Sequence, residues 1–149
     1  MTYDYEWYYG NGTLESWSRR PVGVWSYREL LPLPEGVEPI TLMEGGTPLV
    51  LLPIPGPGRI WVKDETRNPT CAFKDRFHSV SISMAKMLGY KKATASTTGN
   101  HGTSLAAYSA KAGLKCLVFA DPRIPELQCR LIQLYGARLA VLADRNQHL

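Results

Sequence analysis

Apolar residues recur at intervals of three and four through the second half of the chain, and this period predicts amphipathic helices. The predicted helices run from Lys74 to Leu88, from His101 to Ala112, and from Pro125 to the residue before Gly136. Gly89 and Gly113 follow the first two helices, and glycine commonly ends a helix because it adopts the left-handed conformation without a Cβ penalty. The apolar positions expected to face the core are Phe73, Phe77, Val80, Met84 and Met87 in the first helix, and Leu127, Leu131 and Leu134 in the third.

Four short segments are predicted to be strands: residues 60–63, 92–96, 114–120 and 138–142. The segment 114–120 is apolar on both faces, which is typical of a strand buried inside a parallel sheet. Strands that alternate with helices predict βαβ units. We therefore expect an α/β fold with a parallel sheet flanked by helices.

The first part of the chain has a different character. Residues 1–59 contain eight of the eleven prolines and little helical periodicity, so we predict an irregular arm there and an α/β domain over residues 60–149. Eight of the fifteen aromatic residues lie between Tyr3 and Tyr27. This many exposed rings would need cover from this chain, a second domain or a partner.

Composition excludes several classes of protein. Hydrophobic residues make up 44% of the 149 and charged residues 20%, which is typical of a globular domain. The net charge of +4 is dispersed, so no basic surface for nucleic acid is predicted, and no apolar run approaches the ~18 residues of a membrane span. Cys71, Cys116 and Cys129 are too far apart for a zinc motif, and their odd number does not fit a disulfide framework. We expect a cytoplasmic protein without a metal site.

In parallel sheets, ligands bind beyond the carboxyl ends of the strands, which here selects the loops 64–73 and 97–100. The first loop leads to Lys74, in the first turn of a helix, where a cation is disfavoured by about 0.3–1 kcal/mol. A solvated lysine offset by Asp75 is the ordinary interpretation. The alternative is a lysine whose amine attacks an aldehyde.

The second loop reads Ser-Thr-Thr-Gly-Asn-His-Gly over residues 96–102. Hydroxyls, two glycines and the free N–H groups of a helix start form a small anion cradle. The same residues are also ordinary helix-capping and turn residues. From its position alone, His101 is a helix-start residue rather than a catalytic base.

Together, the two loops resemble the signature pair of the fold-type II pyridoxal-phosphate (PLP) enzymes. The matching segments are Asn-Pro-Thr-x-x-Phe-Lys-Asp-Arg at 68–76 and Thr-Thr-Gly-Asn-His-Gly-Thr-Ser-Leu-Ala-Ala-Tyr at 97–108. Within that family the chain is most similar to threonine synthases, because Trp-Ser-Tyr-Arg-Glu-Leu-Leu-Pro at 25–32 and Glu-Gly-Gly-Thr-Pro-Leu at 44–49 also match in order.

The resemblance implies a role for each matching residue. Lys74 would form the Schiff base with PLP, Phe73 would lie against the cofactor ring, and Asn100 would hydrogen-bond the ring hydroxyl. The pocket for the substrate carboxylate would be lined by Thr97, Thr98 and His101. The implied reaction converts O-phosphohomoserine to threonine and phosphate. The alternatives are a serine/threonine dehydratase-like lyase and a non-catalytic fold remnant that binds a partner.

Two departures from the family pattern affect these expectations. Cys71 and Ala72 stand where the family usually has Gly-Ser. The family's enzymes also run to well over twice this length, and their phosphate-binding loop lies beyond the part that resembles this chain. We therefore expect residues 1–149 to be inactive alone, and to associate with further copies or with a missing C-terminal domain.

Overall fold

The structure, a computed structural model, describes residue 6 and residues 14–143. Most of the aromatic residues predicted to need cover, those at positions 3–9, lie outside this part. The part of the chain before the loop 64–73 is called the lead-in, and that loop is called the lysine loop. The lead-in contains helix α1 (Leu14–Ser18), a 3-10 helix (Val24–Leu30), and strands β1 (Leu49–Leu51) and β2 (Trp61–Lys63). The lysine loop contains a second 3-10 helix (Glu65–Arg67). β1 and β2 pair antiparallel, with Leu49 opposite Lys63. The predicted domain boundary after residue 59 falls between these paired strands, and the division into domains stays a prediction.

The remaining elements alternate as expected. They are α2 (Lys74–Met87), β3 (Lys92–Thr97), α3 (Asn100–Ala112), β4 (Lys115–Ala120), α4 (Glu126–Leu134) and β5 (Arg138–Val141). The three strands form a parallel sheet in the order β3-β4-β5, with Lys92 opposite Lys115 and Leu117 opposite Arg138. The α/β fold and the parallel sheet are thus confirmed.

The predicted burial of β4 on both faces is wrong for the described residues. α3 packs on β3 and β4, α4 packs on α3 and β5, and α2 packs on α3. Cys116, Val118 and Ala120 lie beneath this layer, whereas Leu117 and Phe119 on the other face are each 37% exposed. The helices therefore cover one face of the sheet and leave the other open.

The predicted apolar stripes of α2 and α4 are exposed at four positions and half-buried at the others, which are Val80, Met84, Met87 and Leu131. Phe73 and Phe77 are both 56% exposed, and Leu127 and Leu134 are 65% and 78% exposed. The buried residues of α2 are Asp75, His78, Ser79, Ile82 and Ser83, and α4 buries Ile132. The period identified residues that share a face, but it did not identify the side of each helix that is most deeply buried.

Glu44 fastens the lead-in to the helices. Its carboxylate is 1% exposed and accepts hydrogen bonds from the Tyr108 hydroxyl (2.6 Å), the Trp25 indole (2.9 Å) and the Leu42 amide (3.0 Å). Burial raises the pKa of Glu44, but the hydroxyls of Ser79 and Tyr108 oppose this and the pKa lies below its ordinary value. The two lead-in motifs, at 25–32 and 44–49, thus supply residues that pack the arm onto α2 and α3.

Candidate active site

A cavity of about 730 Å³ opens at the carboxyl edge of the parallel sheet. Its lining residues come from the start of α2, from the β3–α3 loop, and from the ends of β4 and β5: Lys74, Ser96, Thr97, Thr98, His101, Phe119, Asp121, Pro122, Arg123, Leu142 and Ala143. This is the edge at which parallel α/β sheets bind ligands. Four of the six predicted site residues, Lys74, Thr97, Thr98 and His101, meet there.

The lysine loop is fixed from beneath by Asp75, which is fully buried. Its carboxylate accepts hydrogen bonds from the Thr70 amide (2.7 Å), the Thr70 hydroxyl (2.5 Å) and the Ser104 hydroxyl (2.5 Å). Asp75 therefore joins the loop to α3 and is not the surface counter-charge to Lys74 that its position in the sequence suggested. This anchoring orients the first turn of α2, which carries Lys74.

A second set of contacts holds the outer side of the same loop. Asn68, 3% exposed, accepts a hydrogen bond from the Gly45 amide (2.9 Å) and donates to Glu65 (2.9 Å). Glu65 also pairs with Arg76 (2.7 Å), and this guanidinium, with help from the Thr47 and Asn68 side chains, lowers the pKa of Glu65 to about 2. A Cβ on Gly45 would approach the amide nitrogen of Val24 to 2.8 Å, so glycine is required where the lead-in meets the loop.

Cys71 takes the left-handed conformation, with φ of 58°, and its side chain is exposed. Glycine adopts this conformation without the Cβ penalty of about 1–2 kcal/mol. The glycine that the family usually has here therefore matches the backbone, and the cysteine occupies it at a cost. The next residue, Ala72, is 4% exposed.

The second loop is organised by the buried hydroxyl of Thr97. It accepts hydrogen bonds from the amides of Gly99 and Gly102, both at 2.9 Å. A Cβ on Gly102 would lie 2.6 Å from Cγ2 of Thr97 and 2.9 Å from Cγ1 of Val118, so α3 can approach β4 this closely only with glycine. Thr97 thus shapes the loop, while Thr98 is exposed at the cavity.

Phe73 and Asn100 do not line this cavity. The Phe73 ring is exposed, and Nζ of Lys74 lies 4.5 Å from its centroid. Asn100 is exposed and its side-chain oxygen accepts a hydrogen bond from Gln128 of α4 at 3.0 Å. The roles predicted for these two residues stay predictions.

Sequence reasoning missed three polar residues near Lys74. Asp121 and Arg123 follow β4, so the rule that ligands bind at the carboxyl ends of the strands could have selected them. Nε of Arg123 lies 2.9 Å from the carboxylate of Asp121, and this guanidinium lowers the pKa of Asp121 to about 2. His78 gave no such signal, because it lies inside a helix. It contacts the cavity residue His101, with Nε2 3.2 Å from Nδ1.

This arrangement is that of an α/β protein with a cavity at the carboxyl edge of its sheet, lined by a lysine and a helix N-terminus, and this is the edge at which such folds bind small molecules. Residues 40–148 match the family described as pyridoxal-phosphate dependent enzymes, and the chain belongs to that family. The cofactor and the family predicted from the sequence are thereby confirmed. Among the described residues, no cluster of three metal ligands occurs and no helix is long and apolar enough to cross a membrane.

Individual relatives agree with this assignment. The chain is 39% identical to a threonine synthase of Methanocaldococcus jannaschii over 93% of its own length and 36% of the relative's. It is 36% identical to a threonine synthase of Halalkalibacterium halodurans over 82% of its own length and 36% of the relative's. The chain therefore spans little more than a third of the length of these relatives.

Solved structures show the same fold. An O-ureido-L-serine synthase aligns with a TM-score of 0.55 and 30% identity, covering 64% of this chain and 32% of that one. An O-acetylserine dependent cystathionine beta-synthase from Helicobacter pylori aligns with a TM-score of 0.61 and 24% identity, covering 70% and 37%. The second likeness supports the fold alone.

Proposed function

We propose that this chain supplies the lysine half of a PLP-dependent lyase site that converts O-phosphohomoserine to threonine and phosphate. The observation that carries the proposal is the meeting of Lys74 with the β3–α3 loop in one cavity. Similarity to threonine synthases over nearly the whole chain, including the lead-in, favours this reaction over that of a dehydratase.

The residues of the cavity fit the cofactor and an anionic substrate. Its volume lies within the range of about 300–1,000 Å³ typical of small-molecule sites. Lys74 offers an amine for covalent attachment, and the N-terminus of α3 offers N–H groups to a carboxylate. When bound, PLP supplies an electron sink for bond breaking at the substrate carbons.

The chain's own residues then have distinct tasks. Lys74 holds the cofactor and carries protons to and from the substrate carbons through Nζ. Thr98 and the backbone that Thr97 organises orient the substrate carboxylate. The fixed Asp75 and Glu65 networks hold the lysine loop in place throughout, which preserves the geometry that such proton transfer requires.

Covalent labelling tests the role of Lys74. We expect that borohydride reduction of the protein with PLP labels the peptide containing Lys74, and that Lys74→Ala abolishes both the label and the visible absorbance. Lys111→Ala removes an exposed lysine of α3 and should change neither, which makes it the matched control. A label that persists on the Lys74→Ala protein would overturn the assignment.

Turnover is a separate measurement. Because the chain spans about a third of its relatives, we expect residues 1–149 alone to release no phosphate from O-phosphohomoserine, and an active assembly to need a C-terminal domain or further copies. Release of ammonia from threonine would instead favour the dehydratase. Absence of cofactor binding in every assembly would favour a non-catalytic partner-binding role.

A further inference from the structure

A second histidine lies behind the cavity wall and has no role in the proposed reaction. His78 of α2 is 2% exposed, and its ring centroid lies 4.6 Å from that of His101. Nε2 of His78 is 3.2 Å from Nδ1 of His101, which is a hydrogen-bonding distance. The ring of Phe77 packs against both histidine rings, with its centroid 4.9 Å from that of His78 and 6.0 Å from that of His101.

Both rings are uncharged at neutral pH. Burial, followed by the charge of His101, lowers the pKa of His78 to about 3; a contact with the His101 backbone opposes this shift, and the charge of Lys74 adds to it. Burial and the charge of Lys74 also lower the pKa of His101. A neutral imidazole has one N–H and one lone pair, so one ring must donate and the other accept.

The charge of Lys74 selects between the two arrangements. Nδ1 of His101 faces His78, so Nε2 is the ring nitrogen left for the cavity that His101 shares with Lys74. A lone pair facing positive potential is favoured over an N–H group. Nδ1–H of His101 then donates to Nε2 of His78. Nδ1–H of His78 points to the hydroxyl oxygen of Ser81, 3.4 Å away.

We propose that His78 is a positioning residue, which accepts the hydrogen bond from Nδ1–H of His101 and so leaves Nε2 of His101 as an acceptor for the amine of Lys74. Nε2 has no hydrogen-bond partner among the residues that the structure describes, and His101 and Lys74 line the same cavity. The inference rests on the proposed function in one respect, since it is there that Lys74 carries the chemistry.

Other charged groups near these helices are engaged elsewhere. The carboxylate of Asp75, on the same buried side of α2, binds Thr70 and Ser104. Glu44 of the lead-in binds Tyr108 and Trp25. The groups that act on the pair itself are its own hydrogen bond, Lys74, and the contacts of His78 with the Ser81 hydroxyl and the His101 backbone.

Long-range proton–nitrogen NMR of the histidine rings, recorded on the full chain above pH 7, tests the inference directly. We expect both His78 and His101 in the Nδ1–H form. The free imidazole ring favours the Nε2–H form, so rings that merely fill space would show that form. An Nε2–H tautomer for His101 in the unmodified protein would overturn the proposal without any variant.

Two variants of His78 separate positioning from packing. His78→Gln retains an acceptor oxygen and should keep His101 in the Nδ1–H form. His78→Phe retains the aromatic volume without an acceptor, so His101 should no longer be held in the Nδ1–H form. Attachment of PLP to Lys74 should slow roughly three- to tenfold in His78→Phe, the range for one hydrogen bond, and less than about twofold in His78→Gln. Equal rates in the two variants would contradict the proposal.

These outcomes are distinguishable from failure of the proposed function. If Lys74 binds no PLP but His101 shows the expected tautomer, the reaction is wrong and the hydrogen bond within the pair stands. If Lys74 is labelled but His101 shows the other tautomer, the reaction stands and His78 has no positioning role.

Discussion

The two long sides of helix α2 are opposite in character to those of a helix that covers an apolar core. Its buried side carries Ile82 but is otherwise polar, with Asp75, His78, Ser79 and Ser83. Its exposed side carries Phe77, and the exposed Phe73 stands just before the helix. In most globular helices the apolar stripe is the buried one. The comparison shows that hydrogen bonds hold much of the buried side of α2 in place, whereas part of its apolar surface stays exposed in the described chain.

The buried side is stable because its polar groups are paired. Ser83 donates to the Ser79 carbonyl (2.6 Å) and accepts from the Ile40 amide (2.7 Å), and the Ser79 hydroxyl donates to the Ile40 carbonyl (2.9 Å). Hydrogen bonds between Ile40 and these serines thus connect the lead-in to α2. On the exposed side, Phe77 contacts the rings of His78 and His101 but remains 56% exposed. Exposed apolar patches can mark interaction surfaces.

The largest effect should come from breaking the polar side at its deepest point. Asp75→Ala removes the acceptor of three donors, the half-buried amide and hydroxyl of Thr70 and the buried hydroxyl of Ser104, so we expect a loss of about 3–4 kcal/mol in the free energy of unfolding. Urea denaturation measures it. Asp121→Ala, which removes an ion pair with the exposed Arg123, is the control and should leave the free energy of unfolding nearly unchanged. Similar losses in both variants would show that burial of the polar side contributes nothing special.

A smaller effect should follow from pH. The folded-state pKa of His78, about 3, lies below its unfolded value near 6.5, so the unfolded state binds more protons as the pH falls. The stability associated with this group is fully present above about pH 6.5 and is lost towards pH 3. Between pH 7 and pH 5 we expect it to contribute a loss of about 2 kcal/mol.

Substitution of the same residue isolates that contribution. In His78→Gln the free energy of unfolding, measured by urea denaturation at both pH values, should change less than in the unmodified protein. Identical pH dependence in the two proteins would place the titrating group elsewhere.

The smallest effect should come from the exposed apolar residues of α4. Leu134 is 78% exposed, so Leu134→Gln should change the free energy of unfolding by less than about 0.5 kcal/mol while lowering self-association in light scattering. Ile132 of the same helix is fully buried, and Ile132→Ala should cost at least about 2 kcal/mol. A large loss in Leu134→Gln would mean that the stripe is covered within the chain after all.

Much of the fold followed from local sequence rules. The helix period located α2, α3 and α4, and Gly113 ends α3 in the left-handed conformation expected of a C-terminal glycine, with φ of 70°. The same period could not reveal which side of each helix is covered. It reports which residues share a face, whereas burial depends on what the rest of the chain places against that face.

Part of the candidate site could likewise be predicted from the sequence, and part could not. The carboxyl-edge rule brought Lys74 and His101 to one cavity, because it depends only on strand direction. The anchoring role of Asp75 and the pairing of His78 depend on contacts with residues 29 and 23 positions away. Such long-range partners leave no local signature, so a Lys-Asp-Arg triplet resembles a surface charge cluster until the helices are packed.

The bond between Tyr108 and Glu44 has a consequence for the order of folding. It joins residues 64 positions apart, whereas the α2–α3 and β3–β4 contacts connect neighbouring elements. Closing a long loop costs more chain entropy than closing a short one, and that cost must be met before its contacts form. We therefore expect the βα units to assemble first and the lead-in to dock late, so that its arrival completes the polar support beneath the lysine loop.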